Sequence, residues 1–591
     1  VIYDQPSGPP APSEAALGVS FGAGFHGEEW EDSEAFRWMG PEARFDFPSR
    51  PEVRHLEMGV FSPFHDLSQR LTVEIGGERH ELELVHGWAQ VSVAAPPGAA
   101  GASLALSRLL PPEHHPGDPR ELGVRLRAPR LHAEPARHAH VERQHANAVH
   151  NLREMLDGRA DLASTPRSLG IDLYGVCNVK PPCVYCDWDF SKDLEGDNVD
   201  APFTRETLAE WGELFDNAAY LVNCSIGEPF MMKNFDELLD AFGEQGKSLE
   251  MATNGQILTD RNVQKLLGRR VHLYVSLDAA TPETYAKLRN DKFDRILVNL
   301  RKLIAAKGGR AGLPKVHMVF MPMRVNVHEL EGFVKLCADL GVDRMVLRPL
   351  NYNEATQLDW ERAGHHFRYE DELLPWAELV RASGRAAELC RRYGVELSDQ
   401  MDFGGAMGES FPEEFEHGRR EGAEVAAAQV PEPAPAAAVS APAPAVEEPA
   451  PVAPPGGPLP SLGAERLPLC TEPWKSLYIL RRGVLPCCYG SSPIAGMGEY
   501  REAWNGPLLQ GIRRDLAAGR FHEYCLSAEA CPIVRKSRAA EVLTRGERAF
   551  LAVKRVWHGL DRLGRGRPHR VLGPIKRPLA TWVRRVTALG G

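Results

Sequence analysis

Three cysteines, Cys177, Cys183 and Cys186, share the ten-residue segment CNVKPPCVYC. Thiolates are ligands for iron and zinc, and two prolines stiffen the loop that carries these three. A structural zinc or a closed four-cysteine cluster fills every coordination position with protein. No fourth ligand is evident beside this set. The pattern therefore points to an iron–sulfur cluster with one iron open to the nitrogen and oxygen donors of a small molecule. The same residues also admit a zinc knuckle completed by Cys224 or a histidine, or a set of inert buried thiols.

A second group lies far downstream, where Cys470, Cys487, Cys488, Cys525 and Cys531 put five thiols into 62 residues. Four thiolates close one tetrahedral set and leave one over, a count that zinc also satisfies. Cys224, Cys337 and Cys390 remain, and free cysteine behaves as a small hydrophobe, so packing against helices is expected of them. Cys224 and Cys337 are also the candidate hydrogen donors if the reaction inverts a stereocentre.

Composition fits this picture. Eleven cysteines is an odd number, and none lies before Cys177 or after Cys531. Such clustering suits reduced thiols in a cytoplasmic metal protein rather than a disulfide framework. A formal charge of -11 argues against a protein that coats nucleic acid. The opening VIYDQPSGPP has no basic stretch before an apolar one, and no run of about 18 apolar residues predicts a membrane span.

The elements that must hold the thiols are set by periodicity. Leu56, Met58 and Val60 alternate, as do Leu71, Val73 and Ile75, Val91 and Val93, Leu104 and Leu106, and Leu122, Val124 and Leu126. Short period-two runs separated by Gly, Pro and Asp predict an antiparallel β-sandwich over 1–130. Its aromatics around Phe25, Trp30 and Trp38 fill the core or line a ligand face. Residues 131–165 read as a solvated helical connector in which His132, His138, His140, His145 and His150 occur by chance.

From 168 the rhythm changes to short apolar runs (169–173, 220–223, 249–253, 271–277, 316–321, 345–350) alternating with amphipathic segments. Those segments are 204–217, 235–246, 258–267, 282–289, 296–306 and 327–340. Six βα units predict a partial (β/α)6 TIM-type barrel over 166–410, with its chemistry at the strand C-terminal ends. Residues 411–465, with 11 prolines between Pro431 and Pro460, predict a stiff tether. Beyond the tether, a small α+β domain at 466–535 is expected to fold semi-independently and dock back. The last segment, 536–591, is a basic amphipathic helical tail, and the 60 residues from 532 carry 15 Lys and Arg against three acids. It suits an anionic membrane surface, a protein partner or packing on the acidic remainder, with nucleic acid least favoured.

The first thiol set resembles the motif of the radical S-adenosylmethionine (SAM) superfamily. The usual first gap holds three residues and this one holds five, but the second gap and the aromatic Tyr185 agree. Further residues extend the resemblance at successive strand ends. Gly227-Glu228-Pro229 resembles the motif that receives the methionine amino group. Thr253-Asn254 stands where the family contacts ribose or carboxylate. Ser276 and Asp278 lie in VSLDAATPETYAKLR, Met321 where adenine packs, and Arg348 on the sixth strand. The resemblance implies a site-differentiated [4Fe–4S] cluster on Cys177, Cys183 and Cys186. That cluster cleaves SAM to a 5′-deoxyadenosyl radical, which takes hydrogen from an unactivated C–H bond.

The downstream thiols resemble the SPASM auxiliary-cluster domain, through the Cys-x-x-Pro-Trp opening, the Gly483-x4-Cys488 step, the Cys-Cys-Tyr run and Trp504-Asn505. The resemblance implies one auxiliary [4Fe–4S] cluster on Cys470, Cys487 or Cys488, Cys525 and Cys531, with electron transfer as its role. The N-terminal region loosely resembles carbohydrate-associated domains. The expected reaction is therefore oxidation of a sugar-containing or secondary-metabolite substrate. The alternatives are cross-linking or epimerisation of a peptide, and a non-catalytic electron-transfer or scaffold protein. A reductant such as flavodoxin or ferredoxin is the implied partner, and the cytoplasm, with contact at the inner membrane surface through the tail, the implied location.

Overall fold

A computed structural model describes residues 18–31, 34–115, 118–186, 204–225, 227–309, 312–350, 359–400, 467–490, 492–528, 531 and 533–534. The expected tether and basic tail lie outside the described residues.

The N-terminal region forms two five-stranded antiparallel sheets. One runs in the order Phe25–Glu31, Glu34–Met39, Val124–His132, Arg54–Ser62, Gly87–Ala95. The other runs Ser20–Phe21, Glu42–Asp46, Gly101–Leu106, Arg70–Ile75, Glu78–Glu83. Alternating residues of both sheets, among them Met58, Val60, Val73, Val93, Leu104 and Leu126, bury one shared core, as period-two patterning requires. Trp38 is buried with Phe36, Leu110 and Leu122 under the Arg125 guanidinium, which sits 4.7 Å from its ring. It is packing. Trp30 is exposed.

The connector is the helix Pro135–Leu156, and it is not a solvated helix with incidental histidines. His138 stacks on His55 with ring centroids 4.1 Å apart and meets the Ser92 hydroxyl at 2.8 Å. The His132 ring lies 5.3 Å from that of His55. His145 donates from Nε2 to the Glu83 carbonyl at 2.9 Å. The helix is a packed layer between the sheets and the barrel, and His138 and His145 pack as flat rings against the N-terminal strands.

Stability should depend on pH as a result. Burial holds His55, His132, His145 and His272 at about 4, against 6.5 for free imidazole. The unfolded chain then binds more protons than the folded one between pH 6.5 and 4. Stability should be flat above that window and fall within it, by about 1.4 kcal/mol per pH unit for each such histidine. Thermal melts from pH 7.5 to 5 should show the decline, and His145→Gln should reduce its slope. A melting temperature constant over that range would refute the account.

The central sheet has nine strands in the order Leu397–Asp399, Arg344–Leu347, Lys315–Phe320, Val271–Ser276, Ser248–Thr253, Tyr220–Asn223, Ser168–Ile171, Ser476–Leu480, Gly483–Leu485. All neighbours are parallel except the last pair. The six expected strands are its middle. Leu169, Ile171, Leu249, Met251, Leu273, Val275, Met318 and Phe320 pack outward beneath helices. Tyr274, Val319 and Val346 face the inner side. The expected helix at 204–217 is two, Arg205–Trp211 and Glu213–Asn217, because Gly212 between them has φ 54°.

The N-terminal sheets meet the barrel at the strands' N-terminal ends. Half-buried Glu34 ion-pairs with Arg127. Burial alone would raise its pKa, but Arg127, His272, Arg270 and Lys315 lower it. Three of those four belong to the starts of barrel strands. Arg137 of the connector likewise binds buried Glu57 at 2.7 Å and the Gly243 carbonyl at 2.7 Å. A charged layer thus closes the end opposite the Cys177 loop.

The C-terminal region shares the barrel's sheet rather than packing on it as a separate body. Its strand Ser476–Leu480 hydrogen-bonds in parallel with Ser168–Ile171, the first barrel strand. Gly170 makes this approach close: a Cβ there would stand 2.1 Å from the Tyr478 ring. Trp474 donates to the Arg159 carbonyl at 2.8 Å, and Trp504 to that of Ser164 at 2.8 Å. Arg513, fully buried, donates to the carbonyls of Pro473 and Ala160. An open parallel edge needs a partner, and this region supplies it. Among the described residues no helix is long and apolar enough to cross a membrane.

Candidate active site

The Cys177 loop leaves the C-terminal end of strand Ser168–Ile171, where parallel α/β sheets gather their chemistry. Cys183 is buried, Cys177 and Cys186 half-buried. The Cys186 amide donates to the Cys183 carbonyl at 3.1 Å, which makes a tight turn of the last two. Val184 N donates to the Leu288 carbonyl at 3.0 Å and fixes that turn against the neighbouring helix.

Two hydrogen-bond sets grip the loop. In the first, the Glu228 amide donates to the Val176 carbonyl at 2.8 Å, just before Cys177. The Glu228 carboxylate accepts from the Thr253 hydroxyl and the Asn254 amide, each at 2.8 Å. Asn254 Nδ2 then reaches Asn178 Oδ1 at 2.8 Å and Cys177 Sγ at 3.8 Å. Burial raises the Glu228 carboxyl to about 7, against the lowering pull of these bonds. Pro229 opens a buried 3-10 turn, Pro229–Met231.

In the second set, Arg289 Nη1 donates to Cys183 Sγ at 3.4 Å and Nη2 to Asp278 Oδ2 at 2.9 Å. The Tyr185 hydroxyl donates to that same oxygen at 2.6 Å, and the Met321 amide to Oδ1 at 3.0 Å. Asn326 Nδ2 donates to the Asp278 carbonyl at 2.8 Å. These bonds hold Asp278 at φ 60°, uncommon for a residue other than glycine.

Residues 171–337 match the sequence model of the Radical SAM superfamily. Over this segment the chain is similar to the radical SAM superfamily. The matched family is one of enzymes, and C-terminal to the matched segment the chain carries a region with further cysteines. Among curated relatives, the probable GTP 3′,8-cyclase of Methanocaldococcus jannaschii is 26% identical over 220 residues, 36% of this chain and 68% of its own. That of Saccharolobus islandicus is 30% identical over 189 residues, 31% of this chain and 56% of its own. Streptococcus suis SuiB bound to S-adenosylmethionine is 14% identical, with 66% of this chain and 77% of that one covered at a TM-score of 0.40.

The remaining residues named from sequence divide by geometry. Ser276 ends the fourth strand, and Met321 packs in the cluster around Val184 and Phe367. The Arg348 Nε donates to Gln400 Oε1 at 2.8 Å and its guanidinium lies 5.8 Å from the Tyr274 ring. Both Asp278 oxygens and both Glu228 oxygens are engaged by protein, so these carboxylates brace the Cys177 loop. Arg289, Asn178 and Asn326 were not read from sequence, nor was the hairpin Asp359–Arg362 with His365–Arg368. That hairpin leads into Tyr369, whose hydroxyl donates to the Tyr185 carbonyl at 2.7 Å. Arg362 donates to the Arg289 carbonyl at 2.8 Å.

Gly227 is dictated by space. A Cβ there would lie 2.2 Å from the Tyr174 carbonyl oxygen and 2.7 Å from the Gly175 carbonyl carbon, both backbone atoms. Gly227→Ala must push Glu228 off Val176. The expected result is a stability loss of about 1–3 kcal/mol, with iron content and SAM affinity each falling at least about tenfold. Iron assay and calorimetric titration would check both; wild-type values would refute the brace.

The auxiliary thiols sit close together. Burial raises Cys470 and Cys488 well above the usual range, Cys487 to about 12 and Cys525 to about 11. Each is raised further by at least one of its fellows. Cys470 and Cys525 pack on the main core, whereas Cys488 and Cys224 pack together on Tyr478, Leu480 and Leu485. Cys224 therefore lies on the inner face of the sheet and not against its helices as expected. Cys337 and Cys390 are core residues.

Among the described residues no three His, Cys, Asp or Glu side chains gather as tightly as a single metal ion requires. A four-iron cluster bonds each thiolate to a different iron and so spreads its ligands wider. Buried thiols that disfavour one another as anions, with a guanidinium on Cys183 and an amide on Cys177, suit such a cationic core.

Proposed function

We propose that the chain is a radical SAM oxidoreductase in which Cys177, Cys183 and Cys186 hold the SAM-cleaving [4Fe–4S] cluster and the downstream thiols hold one auxiliary [4Fe–4S] cluster. The observation that carries this reading is the pairing of Ser168–Ile171 with Ser476–Leu480. Both strands run the same way. The first leads into the Cys177 loop, and the second through a short hairpin into Cys487 and Cys488. The second strand of that hairpin, Gly483–Leu485, runs antiparallel, so Cys487 and Cys488 lie back toward the start of Ser476–Leu480, on an extension of the same sheet that carries the Cys177 loop.

When bound, the first cluster supplies the electron that cleaves SAM to 5′-deoxyadenosine's radical and methionine. The protein's own part is positional. Glu228, Thr253 and Asn254 hold the start of the loop, while Asp278, Arg289 and Tyr185 hold its end. The hairpin through Tyr369 covers it and limits water. Cys470, Cys525 and Cys531 are the auxiliary ligands common to either choice of the fourth, Cys487 or Cys488. Arg348, Ser276 and Met321 face the reacting partners from the neighbouring strand ends.

As substrate class we propose a peptide, modified by oxidation at an unactivated carbon. The sugar reading drew on the resemblance of the N-terminal sheets to carbohydrate-associated domains. Their charged contact with Arg270, His272 and Lys315 is with the starts of the barrel strands, away from the strand ends that carry the Cys177 loop, which favours the peptide reading. Anaerobic incubation with SAM and dithionite should release 5′-deoxyadenosine, and deuterium from a labelled peptide should appear in it. Transfer from labelled sugars but not from peptides would overturn the substrate class; no 5′-deoxyadenosine from protein with both clusters loaded would overturn the reaction.

A further inference from the structure

Arg289 is a cation fixed in the interior against a cluster ligand. It is 5% exposed. Its donors are divided: Nη1 on Cys183 Sγ, Nη2 on Asp278 Oδ2, and Nε buried without a protein partner. The ring of Tyr185 lies 5.4 Å from the guanidinium carbon. Its backbone is held too, since the Arg289 carbonyl accepts from Arg362 at 2.8 Å. Asp278, Tyr185 and Arg362 together place one positive charge on one sulfur.

We propose that Arg289 sets the reducibility of the radical-generating cluster through the Cys183 thiolate. A hydrogen bond to a ligand sulfur and a buried positive charge both favour the form of a cluster that carries one more electron. Thiolate ligands raise the negative charge of the site, and each reduction adds to it. A guanidinium in low dielectric offsets that charge in both states and more strongly in the reduced one. The free Nε–H offers a further donor to a sulfur of the bound cluster. Asp278 works in the opposite sense, as the counter-charge that moderates the cation.

The inference rests on the radical SAM reading of this loop, and the test separates the two. Full-length wild type, Arg289→Gln, Arg289→Lys and Asp278→Asn are reconstituted and compared for iron content, SAM affinity and cluster midpoint potential by spectroscopic redox titration. Iron bound by wild type but lost from Cys183→Ala verifies the cluster independently of Arg289. Arg289→Gln is expected to lower the ratio of reduced to oxidised cluster about tenfold at fixed applied potential, a negative shift of about 59 mV for one electron. Arg289→Lys, which keeps the charge, should stay within about threefold of wild type. Asp278→Asn should move the potential the other way, and this sign remains readable if Arg289→Gln fails to load iron. The proposal is overturned by an unchanged potential in loaded Arg289→Gln, by equal shifts in Gln and Lys, by a negative shift in Asp278→Asn, or by a change in SAM affinity alone.

Discussion

Cys183→Ala is expected to reduce 5′-deoxyadenosine release to background, whereas Cys525→Ala leaves that release intact and stops product formation. The asymmetry comes from where the two thiols sit. Cys183 is the buried member of the first set and receives the Arg289 guanidinium at 3.4 Å. Alanine removes one of three thiolates, and the two that remain, Cys177 and Cys186, cannot keep a cluster that must also leave an iron open. The guanidinium then loses its sulfur partner inside the protein, a further cost of about 1.5–3 kcal/mol for a charged group.

Cys525 lies on the other thiol set and packs on the main core beside the helix Pro507–Ala517. The hydrogen bonds that grip the Cys177 loop come from Glu228, Asn254, Arg289 and Leu288, not from Cys525, so SAM cleavage should survive its loss. Product should not, if the auxiliary cluster accepts the electron left on the substrate. Chromatographic quantitation of 5′-deoxyadenosine beside product gives both numbers in one assay. Release abolished equally by both substitutions would show the auxiliary set to be structural. Unchanged product in Cys525→Ala would remove it from the reaction.

How far the sequence could be read depended on whether a feature was written in local pattern. The first thiol set, the strand ends carrying Gly227, Thr253 and Asp278, and all six parallel strands were legible, because each rests on spacing or on alternation of apolar residues. The bonds that make them a site were not. Nothing local marks Arg289 as buried, since arginine is ordinarily a surface residue and its burial depends on Asp278, Tyr185 and Cys183 arriving from other segments. The histidines of the connector misled for the same reason. His138 gains its meaning only from His55 and Ser92, brought to it from the N-terminal strands Arg54–Ser62 and Gly87–Ala95.

The largest misreading was the independence of the C-terminal region, because 11 prolines from Pro431 to Pro460 suggested a break in the fold as well as in the composition. A strand's partner is fixed by a register that composition does not encode. The hydrophobic run Ser476–Leu480 could equally have opened a separate small sheet. Gly170 is the one local hint: a glycine inside a buried strand marks close approach of another chain segment.

A chain ending at residue 465 is therefore expected to fail as a folded barrel, and residues 466–535 alone are expected not to fold. The cut would expose the first barrel strand, whose Ser168–Ile171 backbone now pairs with Ser476–Ile479. It would also strip Trp474, Leu477, Ile479, Trp504, Leu509, Ile512 and Leu516 from the main core. Deleting one large buried side chain costs about 2–5 kcal/mol, so a few of these exceed the whole stability of about 5–15 kcal/mol typical of a domain. Polar groups suffer as well. Asn151 Nδ2 would lose the Trp474 carbonyl it now binds at 2.6 Å, and the carbonyls of Arg159 and Ser164 would lose their indole donors. Trp474→Ala in the full chain offers a graded version, expected to cost about 3–5 kcal/mol. Chemical denaturation of that variant, with solubility and circular dichroism of the two pieces apart and mixed, measures the effect. A soluble piece that melts cooperatively near the full-length temperature would show the two regions to be separate folding units after all. Recovery of one cooperative transition only on mixing would establish that the auxiliary thiols are built into the barrel's own sheet.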